Sequence, residues 1–356
     1  MRKALSNVKK LEVGILGATG MVGQRFVSLL EGHPWFHLAW LAASDRSAGK
    51  AYSEACSWRL RDPMPERARG LVVHECRPGD APMLLFSSLD SKVAGEVERE
   101  FAKAGHVVIS NSSNYRMEPD VPLLIPEVNP DHLALVRMQR QRRRWKGMIV
   151  TNPNCTAVGL VMSLAPLDKA FGLEKVLMTS MQAVSGAGYP GVPTLDILGN
   201  VIPYIAKEEE KVEAETRKLL GRLSDGRVEP GAFAVSAHCN RVLVEDGHTE
   251  SISVALKSQA TVDDLLDAWR SFRALPQQRK LPSAPKHPIV VREEHDRPQP
   301  KFDLNVERGM ATVVGRLRPC SVLQFKYTAL SHNTIRGAAG AALLNAELMN
   351  SEGYLD

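Results

Sequence analysis

Short apolar runs alternate with helical patterns in the first part of the chain. Residues 11–16 form an apolar run that leads into glycine, and apolar side chains recur every three or four positions in residues 21–30. This pair predicts a buried strand, a tight turn and a helix. Further strands are predicted at 38–43, 83–87, 107–110 and 148–151, and a further helix at 93–104. Strands that alternate with helices indicate a parallel, doubly wound α/β sheet.

The pattern changes after residue 151, where an Asn-Pro-Asn loop follows the last of these strands. A charged helix is predicted at 207–220, and strands at 176–184, 251–257, 289–292, 312–317 and 322–330. These elements indicate an α+β domain with a mixed sheet. We therefore expect a first domain of residues 1–153 and a second of residues 154–332. The helical segment 333–356 is expected to pack back on the first domain.

Composition and charge narrow the class of protein. The chain has 356 residues, 44% of them hydrophobic and 24% charged, which is typical of a globular protein with more than one core. Its net charge of +5 is too small to require nucleic acid or a membrane surface as a partner. Residues 137–146 contain six basic side chains, but they continue a helical pattern and favour a solvated helix face over a nucleic-acid site. We expect no membrane segment, because polar residues interrupt each apolar run.

Five scattered cysteines, without a CxxC pair, indicate a reducing compartment and at least one free thiol. The basic N-terminus has too short an apolar run for a secretion signal and no cleavage site, so we predict a cytoplasmic protein. His238 precedes Cys239, but no second pair with ligand spacing accompanies it, and a bound metal is not expected.

A glycine loop, GATGMVG, joins the first predicted strand to the first predicted helix. Backbone N–H groups and the helix dipole bind a pyrophosphate in this context, although a purely structural turn also needs glycine. The position of the loop at the first strand favours a dinucleotide and a Rossmann-type domain. The candidate contacts are Gly17, Ala18, Thr19, Gly20, Met21 and Val22.

The segment SDRSAGK follows the second strand, where the adenosine ribose is expected. Asp45 could accept the 2′-hydroxyl of NAD, whereas the basic and hydroxyl side chains around it could hold a 2′-phosphate. We predict NADP as the cofactor, and a solvated loop is the alternative. The candidate contacts are Ser44, Arg46 and Ser47.

Cys155 is the leading candidate nucleophile. It lies in TNPNCT, directly before the apolar residues 157–167, so it is expected at a helix N-terminus, where the dipole stabilises a thiolate. A thiolate beside a nicotinamide can add to an aldehyde and form a thioester after hydride transfer. The other cysteines fit inert core positions. His248, in a polar turn just before a predicted strand, is the candidate general acid/base.

Together these motifs resemble the archaeal and fungal type of the aspartate-semialdehyde dehydrogenase family. The resemblance covers nearly the whole chain, and the order and spacing of the motifs make it specific. The matching segments are GATGMVGQRF, SDRSAGK, SNSSNYRM, IPEVNP, TNPNCT, QAVSGAG, EEEKVEAETRKLL, RVLVEDGHTE and NTIRGAAGAALLNAEL. Leu243 departs from the pattern, which commonly has proline there, and the basic stretch 137–146 is richer than usual.

The resemblance implies a reversible reaction, the NADP-dependent conversion of L-aspartyl 4-phosphate to L-aspartate 4-semialdehyde with inorganic phosphate as co-substrate. It also implies no metal, a place in the biosynthesis of lysine, threonine, methionine and isoleucine, and a homodimer or homotetramer formed through the second domain.

The same resemblance implies roles for individual residues, which the sequence pattern alone does not supply. Segment 208–218, for example, also fits a solvated helix with charge pairs. The implied catalytic set is Cys155 as nucleophile, His248 as acid/base and Gln182 to orient the intermediate. The implied contacts are Arg241 for the substrate carboxylate, Glu208 with Glu209 as a second candidate for its ammonium, Arg116, Asn154 and Lys211 for phosphate, and Ser185, Gly186 and Asn333 for the cofactor.

Three other functions share features with this one. A related malonyl-CoA reductase would use the same cysteine with coenzyme A, and Arg116 and Lys211 would fit either anion. N-acetylglutamyl-phosphate reductase is disfavoured, because its cysteine motif resembles NPGCY and this chain has NPNCT. A non-catalytic NADP-binding redox sensor would need Cys155 but not Gln182, Arg241 or His248.

Overall fold

The structure is a computed structural model that describes residues 10–355. The expectations for residues 1–9 and for the last residue of the C-terminal segment lie outside this range. Six parallel strands form the first sheet in the order β3-β2-β1-β4-β5-β6. They are β1 (Leu11–Leu16), β2 (Phe36–Ala43), β3 (Val73–Glu75), β4 (Leu84–Ser87), β5 (Val107–Ser110) and β6 (Met148–Thr151). This order confirms the predicted doubly wound sheet, with its topological switch between β1 and β4.

Helices connect most of these strands, with none between β3 and β4, and apolar cores lie on both faces of the first sheet. The helices are α1 (Met21–Leu30), α2 (Tyr52–Ala55), α3 (Glu66–Arg69), α4 (Ser91–Ala104) and α5 (Leu135–Arg143). Helix α4 begins and ends at residue types that commonly cap helices. Asp90 caps its start by accepting a hydrogen bond from the N–H of Lys92, and Gly105 ends it with a φ of 115°.

The second sheet is mixed, as predicted, with the order β10-β7-β11-β14-β13-β12. Its outer pairs β10/β7 and β12/β13 are parallel, and its inner pairs are antiparallel. A separate hairpin consists of β8 (Arg222–Ser224) and β9 (Arg227–Glu229). The sheet strands are β7 (Leu173–Gln182), β10 (Ala234–Arg241), β11 (His248–Leu256), β12 (Ile289–Arg292), β13 (Thr312–Pro319) and β14 (Phe325–Ser331).

The helices after β6 begin with α6 (Cys155–Phe171), whose residues 156–167 are all buried. A helix that is apolar around its whole circumference belongs inside a protein, and α6 packs against the second sheet. The others are α7 (Thr194–Ile197), α8 (Glu208–Leu219), α9 (Val262–Ser271), α10 (Leu275–Arg279), α11 (Pro300–Asp303) and α12 (Gly340–Ser351), with a π-helix at Ile335–Ala339 directly before α12.

The C-terminal helix packs on the first sheet. Leu343, Leu344 and Leu348 share one core with Val13 and Ile15 of β1. A second core lies between α6 and the second sheet. The division into residues 1–153 and 154–332 stays a prediction. The C-terminal segment was expected to be helical from residue 333 to residue 356. It instead begins with the π-helix, and α12 ends at Ser351.

Some predicted element ends were wrong. Strand β11 begins at His248 and not at residue 251, because pairing with β14 already starts between His248 and Ser331. His248 is therefore the first residue of a strand and does not lie in the turn before it. Strand β10 was missed. In the basic stretch, Arg137, Arg140 and Arg142 are exposed on α5. Within residues 10–355, no helix combines the length and the apolar character that crossing a membrane requires.

Candidate active site

Cys155 is the first residue of α6, one loop after the end of β6. Asn154 caps the helix, because its side-chain oxygen accepts hydrogen bonds from the N–H groups of Thr156 (2.8 Å) and Ala157 (3.2 Å). Cys155 therefore lies at the positive end of the helix dipole, as the sequence predicted.

His248 faces the sulfur of Cys155. Its Nε2 lies 3.2 Å from Sγ, and its Nδ1 accepts a hydrogen bond from the backbone N–H of Ala183 at 3.1 Å. An acceptor nitrogen carries no proton, so the single proton of the neutral ring resides on Nε2. The imidazole is thus held as a donor directed at Sγ.

The protein around this pair favours its neutral form. Burial raises the pKa of the Cys155 thiol to about 12, and Glu208 adds to this effect, whereas Arg116 and Arg241 oppose it. Burial also lowers the pKa of His248 to about 3, assisted by the positive charge of Arg241. Burial thus opposes the expected thiolate, whereas the two guanidinium groups favour it.

Arg241 is the last residue of β10, and it pairs with Gln182, the last residue of β7. His248 begins the antiparallel strand β11 at the same end of the second sheet. The guanidinium of Arg241 donates to the carbonyl of Ala183 at 2.7 Å, and the amide of Gln182 donates to Oγ of Ser180 at 3.2 Å. A Cβ at Gly186 would lie 2.8 Å from Nη1 of Arg241 and 3.1 Å from Cε1 of His248. Glycine therefore lets the 184–187 turn lie directly against both side chains.

Helix α8 supplies carboxylates behind the cysteine. Glu208 is buried and accepts a hydrogen bond from Nδ2 of Asn154 at 2.9 Å. Glu209 is turned away, since its carboxylate accepts from the N–H of Cys239 on β10 at 2.9 Å. Lys211 is half-buried on the same helix. This geometry favours Glu208 over Glu209 for the substrate ammonium.

The π-helix closes the other side of the nucleophile. A Cβ at Gly337 would lie 2.7 Å from Cβ of Cys155, so only glycine fits there without a shift. Sequence reasoning missed this contact, because a π-helix is a local widening that the apolar pattern of a helix does not reveal.

The glycine loop has the geometry of a dinucleotide cradle. Gly17 has a φ of +80°, and a Cβ on it would lie 2.9 Å from the carbonyl oxygen of Ser88. A Cβ at Gly23 would lie 2.3 Å from the carbonyl oxygen of Gly17. The loop thus leads to the open N-terminus of α1, whose cap Gly20 has no side chain to occupy the N–H groups of Met21 and Val22. Ala18 is buried in this loop, and Thr19 is half-buried.

The ribose-side residues follow β2, the strand next to β1. Ser44 and Arg46 are exposed, Ser47 is half-buried, and a backbone hydrogen bond of 2.8 Å from Ser47 to Ser44 closes the turn. A phosphate on the ribose would therefore meet an accessible guanidinium and two hydroxyls.

Three loops meet where the nicotinamide is expected. The amide of Asn333 donates to Oγ of Ser185 at 2.8 Å, and its oxygen accepts from the N–H of Gly247 at 2.8 Å. Ser185 donates in turn to Asp246 at 2.6 Å. The structure therefore ties the two predicted cofactor residues Ser185 and Asn333 to the loop that directly precedes His248. Asp246 was missed, although its position two residues before His248 could have drawn notice.

The five cysteines are free thiols. Within residues 10–355, no group of three or more His, Cys, Asp or Glu side chains is arranged to hold a metal ion. The assembled candidate site therefore consists of a thiol, an imidazole and surrounding charged side chains.

Comparisons with known proteins fit this geometry. Residues 12–136 match the family described as semialdehyde dehydrogenase, NAD binding domain, and residues 164–336 match the semialdehyde dehydrogenase, dimerisation domain. An aspartate-semialdehyde dehydrogenase of Methanothermobacter thermautotrophicus is 52% identical over 96% of this chain and 99% of its own. One of Cryptococcus neoformans is 46% identical over 97% and 98%. A crystal structure of the Candida albicans enzyme with NADP superposes with a TM-score of 0.89 at 42% identity, over 97% of this chain and 99% of that one.

Proposed function

Because this chain belongs to the aspartate-semialdehyde dehydrogenase family, we propose that its site converts L-aspartyl 4-phosphate to L-aspartate 4-semialdehyde with NADPH, reversibly. The proposal is carried by one observation, the 3.2 Å contact between Sγ of Cys155 and Nε2 of His248. Two cations lie beside this pair and can attract an anionic substrate. Arg116 is joined through Glu215 to the backbone of Asn154, which precedes Cys155. Arg241 and His248 both lie against the turn at Gly186. The family match favours this reaction over a malonyl-CoA reductase or a redox sensor.

Cys155 is proposed as the nucleophile. The sulfur attacks the carbonyl carbon of the acyl phosphate, a C–S bond forms, the C–O bond to phosphate breaks, and the thiol proton leaves on the departing phosphate. The product is a thioester on Cys155 and inorganic phosphate. Arg116, Asn154 and Lys211 are the proposed phosphate contacts, and Arg241 and Glu208 are proposed to bind the carboxylate and the ammonium of the substrate.

His248 is proposed to act through its Nε2 proton. NADPH, when bound, supplies the hydride that reduces the thioester. Nε2–H points at the sulfur, so it is placed to donate to the oxygen on the carbon bound to Sγ, where negative charge develops. When the C–S bond breaks and the aldehyde leaves, the same donor stabilises the returning thiolate. Gln182, beside Arg241 at the strand ends, is proposed to orient the bound intermediate.

The residues of the first domain fit NADP. The glycine cradle at Gly17 and Gly23 would accept the pyrophosphate, and exposed Arg46 the 2′-phosphate, with Ser185, Gly186 and Asn333 at the nicotinamide end. The Candida albicans relative is an NADP complex, which supports the same choice here. The assignment is tested by measuring KM for NADP and for NAD in wild type and in Arg46→Ala. Loss of the contact with the 2′-phosphate should raise KM for NADP more than KM for NAD and so reduce the preference for NADP.

The dimerisation-domain match indicates that the chain forms oligomers. We propose a homodimer, with a homotetramer as the alternative, and light scattering during gel filtration measures which one forms. Cytoplasmic localisation stays a prediction, which cell fractionation tests.

The deciding experiment is the initial rate of NADPH formation from L-aspartate semialdehyde and NADP, with and without inorganic phosphate. Phosphate-dependent turnover supports the proposal. Parallel reactions replace phosphate with coenzyme A and the substrate with malonate semialdehyde. Turnover only in those reactions would identify a malonyl-CoA reductase, and thiol oxidation without turnover in either would point to a sensor.

A further inference from the structure

We propose that Glu215 is a positioning residue that orients Arg116 and the start of α6 for the phosphate-dependent step. This inference rests on the proposed function, since it takes Arg116 as a phosphate contact. Glu215 lies seven residues after Glu208, which is about two helical turns, so the two carboxylates share one face of α8 and both contact Asn154.

The buried carboxylate of Glu215 bridges Arg116 and the backbone at the start of α6. Its Oε1 accepts from Nη1 of Arg116 at 3.0 Å, and its Oε2 accepts from the backbone N–H of Asn154 at 2.6 Å. Glu215 is only 1% exposed and Arg116 only 8%. Hydrogen bonds to a buried charged group are strong and sensitive to geometry. Because Asn154 directly precedes Cys155, this carboxylate links the position of the guanidinium to that of the nucleophile.

Helix α8 also holds the main chain around Arg116. The ammonium of Lys218, one turn after Glu215, donates to the carbonyls of Arg116 (2.6 Å), Glu118 (2.8 Å) and Val121 (3.1 Å). The backbone of the loop and the side chain of Arg116 are thus anchored to the same helix, and little freedom remains for the guanidinium.

The guanidinium keeps an unused donor in this arrangement. Its Nη2 donates to the carbonyl of Asn111 at 2.7 Å, while its Nε is buried and has no hydrogen-bond partner within the described part of the chain. An unsatisfied buried donor is unfavourable and needs a partner. A phosphate oxygen is an acceptor that the proposed reaction brings to this guanidinium, whose orientation the contact with Glu215 fixes.

The test compares two Glu→Gln variants on α8. Glu215→Gln keeps the shape of the side chain but has a single acceptor oxygen. The guanidinium of Arg116 and the N–H of Asn154 each need one, so one of these two donors loses its partner. Glu213→Gln is the matched control, since Glu213 accepts from the N–H of Ala237 on β10 at 3.0 Å and does not contact Arg116. For Glu215→Gln we expect KM for inorganic phosphate to rise about tenfold or more and kcat to fall, with KM for NADP within about twofold of wild type. Glu213→Gln should match wild type in all three.

Two further measurements separate positioning from a general structural defect. In an Arg116→Met background, Glu215→Gln should raise the phosphate KM by less than it does in wild type, because the contact with Arg116 is already lost and only the contact with Asn154 remains. Glu215→Asp, which keeps the charge but withdraws it by one methylene, should raise the phosphate KM as well, and it replaces Glu215→Gln if that variant does not fold.

The outcomes are distinct. An unchanged phosphate KM in Glu215→Gln or Glu215→Asp, with phosphate-dependent turnover in wild type, overturns the positioning role and leaves the proposed function intact. Equal rises in the KM for phosphate and for NADP overturn it too, since they indicate a global defect. A wild-type enzyme without phosphate-dependent turnover overturns both proposals.

Discussion

Glu250 lies two residues after His248 on the same buried face of β11, and its protonation makes a measurable prediction. The residue is 1% exposed, and neither carboxyl oxygen has a hydrogen-bond partner within residues 10–355. The helix α6 passes so close that a Cβ at Gly159 would lie 3.1 Å from Oε1 of Glu250. Burial without a partner raises the pKa of this carboxyl well above its usual value.

The variant Glu250→Gln preserves the shape of the side chain and replaces the carboxyl with an amide, which does not ionise. In the unfolded chain Glu250 ionises above a pH of about 4.3, whereas in the folded protein it keeps its proton to a higher pH. Its raised pKa therefore stabilises the fold at low pH, and this contribution is lost as pH rises toward the folded pKa. Within that window the free energy of unfolding of wild type falls by about 1.4 kcal/mol per pH unit from this group alone. The glutamine variant does not share this loss.

Urea denaturation of both proteins at pH 5, 6 and 7 measures the difference. Tryptophan fluorescence is a suitable signal, because Trp269 is fully buried and contacts Tyr327 edge-on, with 4.9 Å between ring centroids. The stability advantage of Glu250→Gln should grow with pH at the slope given above. Glu96→Gln, at a side chain that is 80% exposed, is the control for the substitution itself. A difference that does not change with pH would refute the reasoning, because it would mean that Glu250 titrates alike in both states.

Four further predictions concern the candidate site. Cys155→Ser should lower turnover by orders of magnitude and leave NADP affinity nearly unchanged, since serine would form an unactivated ester; initial rates and a fluorescence titration with NADPH measure the two. His248→Asn should retain more turnover than Cys155→Ser but change the pH–rate profile, and an unaltered profile would argue against a role for its proton. Arg241→Leu should raise KM for the semialdehyde about tenfold or more without a similar rise for NADP, because only the substrate carboxylate loses its partner; saturation curves for both decide. Gly337→Ala should destabilise the protein by about 1–3 kcal/mol and reduce kcat, as its Cβ would lie 2.7 Å from that of Cys155, whereas Gly70→Ala, at a glycine with open space, should change neither thermal unfolding nor rates.

Most elements of the first sheet could be predicted closely because their causes are local, whereas the three-residue edge strand β3 was not predicted. Strands buried on both faces read as continuous apolar runs, and β1, β5, β6 and α1 begin and end at the predicted residues. The glycine loop and the asparagine cap before Cys155 are likewise short-range signals, so the cradle and the helix start were visible without a structure.

The edge strand β10 was not predicted, since its sequence AVSAHCNR mixes small and polar residues that tertiary pairing alone makes extended. The same holds for the site. Residue roles came from family resemblance, but the 3.2 Å contact of Cys155 with His248, the donor form of that imidazole and the bridge from Glu215 to Arg116 depend on sheet register and helix packing. Such contacts join residues 65 to 99 positions apart, and burial then changes the pKa values of the thiol and the imidazole. Neither the distance nor the lost hydration is encoded in any local stretch of the chain, because both arise only when the two sheets and α8 pack around the nucleophile.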